Sequence, residues 1–591
     1  MATSGSARPR ARAPGRRVEP VRGVGADASP AVPRRRTRPH GPGPRTFGRT
    51  IGRARRRAER PILCPMAPSL DIGEFTAERE ALISRARSLG RSLTDAARGA
   101  TTLGRERAIL RLIGVGGVDR EGRPLAAEVV DRYVSGRQDR LADGIGLVFA
   151  VALLEYDSPP QSLALDVAGG VVDLGLEAGL LATPERRTAA SEHLGRLVSG
   201  AMARIDANRV ARRELLGVLG DKQPPWIGAT LHEPGTEAAE GEAAALIRAG
   251  LDLLRVEVPA GRELATRLGE LGHEIGWRPR SDDADLEPPP AGSQRGLARL
   301  RNVLDRAAAE RGAYVRLAIA PTALAAPEGA VVAAFERADL LDLDPMGEIF
   351  VTGVDPERAL ADYGFAIRLI RRAGAVIHLG AGPLVVAPDL DAGINADPAT
   401  RSGRALGLQM VAAEMAVASG LPADRIVIGS LPAWLTGEPD AAARAAAEIA
   451  LRRALLPDHP LAFVEPAGVE PPSRWPAIVA AVQPGTNVAL TIRRAQPGSG
   501  DATGMFQAAR AAADVARDLE DAIGTQGLTG IAHDHAERAL AAAAWTLEVI
   551  EREGWPALTG ATAARGGWGR LGGEAVAPTG DPTDPVERSL A

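Results

Sequence analysis

The chain is poor in cysteine, lysine and aromatic residues, and each shortage closes a route. Its single cysteine, Cys64, excludes an intrachain disulfide framework and an all-cysteine zinc site, and fits a reducing compartment such as the cytoplasm. Lys222 is the only lysine, so any Schiff base made by this chain alone must use it. The preference for arginine, with much alanine and glycine, is the usual mark of a GC-rich genome and carries no functional message. Aromatic residues are 3% of the 591, which leaves Leu, Val, Ile and Ala to build the core. No apolar run approaches the roughly 18 residues of a membrane-spanning helix. A net charge of −3 gives no overall pull toward nucleic acid. The P-loop, G-x-S-x-G, H-E-x-x-H and C-x-x-C motifs are all missing. No metal site is expected, since Glu233, Glu257 and His378 follow no ligand spacing.

What is present changes along the chain. Residues 1–65 are rich in Arg, Pro and Gly, with Arg34-Arg35-Arg36 and Arg55-Arg56-Arg57, and show no apolar period. Such a segment buries no core and is expected to be disordered. It reads as a basic arm, as a transit peptide, or as a stretch upstream of a true start at Met66. From 66 to 220 the pattern is helical. Glu78 to Leu93 and Arg105 to Ile113 carry apolar residues at three- and four-residue spacing, Gly114 to Asp119 interrupt them, and Val129 to Tyr133, Gly144 to Leu154 and Pro184 to Ala207 resume.

From 221 to 495 short apolar runs alternate with amphipathic stretches. The runs are Trp226 to Leu231, Leu251 to Val258, Tyr314 to Ala320, Leu340 to Asp344, Ala375 to Leu379, Arg425 to Ile428, Leu461 to Val464 and Val488 to Ile492. Helices are expected at Glu237 to Ala249, Gln294 to Glu310, Pro356 to Arg372, Ala405 to Ser419 and Pro439 to Leu455. Continuous apolar runs suit strands buried on both faces, with helices as right-handed crossovers. Eight units over roughly 270 residues match an α/β (β/α)₈ TIM-type barrel. A doubly wound open sheet is the competitor, and the lack of a Gly-rich first turn counts against it. Residues 496–591 are read as a helical C-terminal extension. It has helices near Phe506 to Ile523 and His535 to Glu553, and a Gly-rich tail from Gly566 that packs as loops or frays.

In a barrel, chemistry sits at the C-terminal ends of the strands. These ends offer His232-Glu233, Glu257 with Gly261-Arg262, Thr322, Asp342 with Asp344 and Met346, His378, Ser430, Glu465, and Arg493-Arg494. Carboxylates there suit a substrate amine, and Arg255 or Arg262 suits a phosphate or carboxylate. Each has a plainer reading too: an acid at a strand end caps the next helix, Arg262 faces solvent, and His378 is a hydrogen-bonded interior histidine. His533-Asp534-His535 has metal-ligand character but stands where a helix cap is expected.

Several segments, in order, carry a resemblance. They are Arg107 to Gly114, Gly117-Val118-Asp119, Val129-Val130-Asp131, Asn208-Arg209, Gly220-Asp221-Lys222, Tyr314 to Leu317, Pro327-Glu328, Leu408-Gln409, Glu414 and Gly420-Leu421-Pro422. Together they resemble the barrel subunit of the lysine 5,6-aminomutases and their ornithine 4,5-aminomutase relative, from about Phe75 to Gly554. The resemblance implies a two-subunit isomerase. In that family a smaller subunit carries adenosylcobalamin, the D-x-H-x-x-G histidine and the Schiff-base lysine, while the barrel covers pyridoxal phosphate during a radical 1,2-amino shift. This chain has no D-x-H-x-x-G.

The resemblance also implies site residues. Where the family has an Arg and a Ser for the cofactor phosphate, this chain has Glu257 and Arg262. Thr322 stands for a Ser after strand three. The Tyr and Arg implied after strand four are replaced in Asp344 to Val351, and Pro288-Pro289-Pro290 replaces a Gly/Thr-rich loop. Arg262 and Thr322 are accordingly read as phosphate or carboxylate holders and Arg255 as offsetting Glu257. Glu257 is read as the ammonium holder, and His378 as a second catalytic candidate in the pocket. Three functions follow: an aminomutase-like isomerase acting on a small amino acid, a non-catalytic barrel that scaffolds a cobalamin-binding partner, or an unrelated lyase or aldolase using Lys222.

Overall fold

A computed structural model describes residues 76–119, 124–135, 137, 139–222, 224–231, 237–257, 291–321, 324–350, 354–380, 397–430, 441–465, 486–491, 530–555, 558, 576–578 and 585–590. The short strand β1 (Ala100–Thr102) lies in the helical region. Eight parallel strands then close into a barrel: β2 (Trp226–Leu231), β3 (Leu253–Glu257), β4 (Arg316–Ala320), β5 (Leu340–Leu343), β6 (Val376–Leu379), β7 (Ile426–Ser430), β8 (Leu461–Glu465) and β9 (Thr486–Thr491). Neighbours pair in sequence order, and β9 returns to β2 with Trp226 opposite Val488. The expected (β/α)₈ barrel is present, with helices before and after it.

Strand alternation splits the core in two. Leu254, Val256, Leu341, Ile377 and Ile428 face outward into the large core under the helices. Trp226, Leu253, Ala318, Leu340, Val376, Val427 and Ala462 face inward and form a separate apolar plug. Arg316 stacks over the Trp226 ring at 3.5 Å and pairs with Asp221. At this N-terminal end Lys222 is bound to the fully buried Asp252 at 2.8 Å, beside Arg311 at 2.7 Å. The only lysine is therefore in a structural ion cluster, at the end of the barrel away from the mouth.

Helix ends follow their local chemistry. Pro356–Ala373 starts with Asp355 accepting from the Arg358 N–H at 3.0 Å and stops at Gly374, with φ 65°. Pro398–Ala418 is capped by Asp397, which accepts from the N–H groups of Ala399 and Thr400. That helix packs tightly on Ile531–Glu553: a Cβ at Gly403 would lie 2.0 Å from the Ala539 carbonyl oxygen, so only glycine fits.

Three expectations need correction. Ala326–Phe335 is a helix that periodicity missed, because it is buried all round. The N-cap of the Ile531–Glu553 helix lies outside the His533-Asp534-His535 trio. Gly530 is the N-cap, and His535 is a buried residue whose Nε2 donates to Glu448 Oε1 at 2.7 Å. The tail does not fray at its described residues. Strand β10 (Val576–Pro578) pairs antiparallel with β1, and Pro585–Leu590 docks with Val586 and Leu590 buried. The helix expected near Phe506 to Ile523 lies outside the described residues.

Candidate functional site

Two residues above the apolar plug, the same inward face turns polar. On β3, Leu253 is followed by Arg255. On β5, Leu340 is followed by Asp342, and on β6, Val376 by His378. Asp342 and His378 are cross-strand neighbours. Arg255 reaches across β4, donating its Nε to Asp342 Oδ2 at 2.5 Å and an Nη to Thr230 Oγ1 on β2 at 3.5 Å. The other Asp342 oxygen meets His378 Nδ1 at 3.1 Å. Burial works to raise the Asp342 pKa, but the Arg255 guanidinium and the His378 hydrogen bond outweigh it and hold it at about 2. An ionised carboxylate only accepts, so Nδ1 carries the proton. That leaves Nε2, which is buried and has no partner, while His378 as a whole is 4% exposed.

Above this layer, Asp344 follows β5 and leans over β6. A Cβ at Gly380 would come within 2.3 Å of its Oδ2, so glycine is required there. Asp344 accepts from the Gly347 N–H at 2.9 Å, and burial raises its pKa. Glu348, one helical turn on, is pushed up to about 8 by burial and by the charge of Asp362. The rim beside these groups is braced from behind. Gln409 Nε2 donates to the carbonyls of Gly380, at 2.6 Å, and Gly429, at 2.8 Å, tying the ends of β6 and β7 together.

Of the residues read from sequence, Arg255 and His378 meet on one carboxylate. Glu257 is the last residue of β3; its side chain, and Arg262 and Thr322 entirely, lie outside the described residues. The position of Thr230 in this layer and the role of Asp342 as the hub were not anticipated. Both were available as polar residues at even spacing from an inward apolar one.

A family model described as the D-lysine 5,6-aminomutase TIM-barrel domain of the alpha subunit matches residues 76–267 and 290–470. The chain belongs to that family. Two curated relatives are lysine 5,6-aminomutase alpha subunits. The one from Fusobacterium nucleatum is 25% identical over 370 residues, 61% of this chain and 65% of its own. The one from Acetoanaerobium sticklandii is 25% identical over 329 residues, 56% and 59% respectively. The match thus spans less than two thirds of either relative's length. Among solved structures, a dihydropteroate synthase from Burkholderia cenocepacia is 18% identical with a TM-score of 0.28, covering 49% of this chain and 93% of that one.

Several of the segments on which the sequence resemblance rests help to form the fold. Arg111 donates to Glu328 at 2.5 Å, and Asn208 donates to the carbonyls of Ala334 and Phe335 at 3.0 and 2.8 Å. Asp221 and Lys222 build the barrel floor, and Gln409 braces the mouth.

Proposed function

We propose that the chain is the barrel subunit of an aminomutase-like isomerase. It would catalyse a radical 1,2-amino shift on a small amino acid such as lysine or ornithine, in the cytoplasm, together with a smaller cobalamin-binding subunit. The family match across both the helical layer and the barrel carries this reading, and the name "alpha subunit" of the relatives supports a partner. The partner would hold adenosylcobalamin, which supplies the radical when bound.

The barrel's own share is recognition and shielding. Asp342 and Arg255 offset each other's charge, and Asp344 and His378 present acceptors toward the mouth. This described donor set fits an amine. It does not fit the phosphate of pyridoxal phosphate, because the one described arginine in the layer is committed to Asp342. Arg262 and Thr322 remain the residues proposed to hold a phosphate or carboxylate, and Glu257 a second carboxylate for an ammonium. A second reading, a barrel that scaffolds or regulates a cobalamin partner without pyridoxal phosphate, is favoured by Asp344-Pro345-Met346 standing where an aromatic ring is implied.

The test is a UV–visible spectrum of the complex that copurifies with the tagged chain from native cells. Cobalamin bands with an imine band that shifts on adding lysine or ornithine support the aminomutase. Cobalamin bands without the imine favour the second reading. Absence of a cobalamin-binding partner overturns both.

A further inference from the structure

The mouth of the barrel holds two groups that are not fully paired among the described residues. His378 Nε2 is one. Its ring is fixed by the Nδ1 contact to Asp342, and the atom is buried without a partner, which disfavours the empty state. The Asp344 carboxylate is the other. Its described hydrogen bond is the Gly347 N–H, and no ion pair offsets its charge among the described residues. The two share a face. Asp344 lies over Gly380, two residues beyond His378 on the same side of the chain. Arg255, on the same inward face, is ion-paired with Asp342.

We propose that Asp344 and His378 Nε2 together form a receptor for a protonated primary amine. An ammonium group carries three N–H donors and one positive charge. One donor meets the imidazole nitrogen, a second meets the free Asp344 oxygen, and the charge is balanced by Asp344. Asp342 then acts as a positioning residue: by holding the proton on Nδ1 it keeps Nε2 an acceptor. Gly380 is part of the device, since any side chain there would push the carboxylate out of line. A hydroxyl ligand would satisfy Nε2 but leave the carboxylate charge unmet, so the pocket selects amine over alcohol.

The inference deepens the aminomutase reading by assigning the residues that receive the substrate nitrogen, but its test needs neither cofactor nor partner activity. The full chain, with whatever partner copurifies, is titrated calorimetrically with n-pentylamine, L-lysine, L-ornithine and n-pentanol. The amines should bind and the alcohol should not. Asp344→Asn and Gly380→Ala should each weaken amine binding at least tenfold. In ¹⁵N-histidine-labelled protein, the Nε2 resonance that His378→Gln removes should shift on adding pentylamine, with Nδ1 remaining protonated. The proposal is overturned if no amine binds the wild-type chain, if pentanol binds as well as pentylamine, or if a folded Asp344→Asn protein binds amine unchanged. Should that variant not fold, the nitrogen spectrum of the wild-type protein decides alone: a stationary Nε2 signal at saturating amine refutes the assignment. Loss of amine binding with a cobalamin partner still present sinks this inference only. Amine binding without such a partner sinks the aminomutase reading only.

Discussion

Replacing Glu448 by glutamine isolates a buried charge network away from the mouth. Glu448, Arg452 and His535 have side chains 2%, 0% and 1% exposed. Glu448 accepts from Arg452 on one oxygen and from His535 Nε2 on the other, while Arg452 Nε reaches the Gly429 carbonyl at 3.3 Å. Burial alone would raise the glutamate, but Arg452 and His535 bring it from 4.5 to about 2. That depression corresponds to about 3 kcal/mol of stability at neutral pH. Because the folded-state value is the lower one, this stabilisation is complete above the unfolded value of 4.5 and is lost as pH falls toward 2. Removing one member of a buried pair independently leads to a loss of about 3–5 kcal/mol, because the other charge is left uncompensated. Glu448→Gln should therefore lower the free energy of urea unfolding at pH 7 by about 3 kcal/mol, and Arg452→Met by a similar amount. The double variant Glu448→Leu/Arg452→Met should recover most of that loss, since an apolar replacement of the whole pair leaves no orphaned charge. The assay is tryptophan fluorescence along a urea series for wild type, single and double variants. A Glu448→Gln protein within about 1 kcal/mol of wild type, or a double variant as unstable as the summed singles, refutes the reasoning.

Two further outcomes follow from the same physics. Glu348 has its folded-state pKa raised from 4.5 to about 8, so between those values the unfolded chain has released a proton that the folded chain keeps, and stability falls as pH rises. Glu348→Gln should match wild type in melting temperature near pH 4.5 and exceed it near pH 8; an equal difference at both would show that the carboxyl is not held neutral. Glu587 binds Arg105 at 3.2 Å and both terminal nitrogens of Arg368, so Glu587→Ala should cost about 2 kcal/mol and raise amide exchange in 585–590. Unchanged exchange there would mean that apolar docking by Val586 and Leu590 alone holds the helix.

The barrel was readable because its strands are apolar on both faces. The Trp226–Leu231 strand matches the expected run, while others begin later than the apolar run, as with Arg316 after Tyr314 and Val315. Pairing, not hydropathy, sets those ends: Arg316 N–H bonds the Asp252 carbonyl and Leu317 N–H the Asp339 side chain. Arg255 and His378 were identifiable as polar residues placed within apolar strands. Their meeting on Asp342 was not, because it depends on barrel closure bringing β3 and β5 within one side-chain reach. The same limit explains His535. Its partner Glu448 is 87 residues away, and nothing local separates a buried ion pair from a cap.

The pairing of β1 with β10 joins Ala100–Thr102 to Val576–Pro578 across almost the whole described chain. During synthesis at about 5–20 residues per second, β1 waits roughly half a minute to a minute and a half for its mate to emerge. Through that interval its unpaired edge is open to any other extended segment. Thr101 meanwhile has an acid of its own region within reach, Glu106 at 2.5 Å, whereas the acid that Thr102 meets, Asp362, lies 260 residues further along the chain. The partners of this edge therefore emerge in order: Glu106 at once, Asp362 from the middle of the chain, and the pairing strand last.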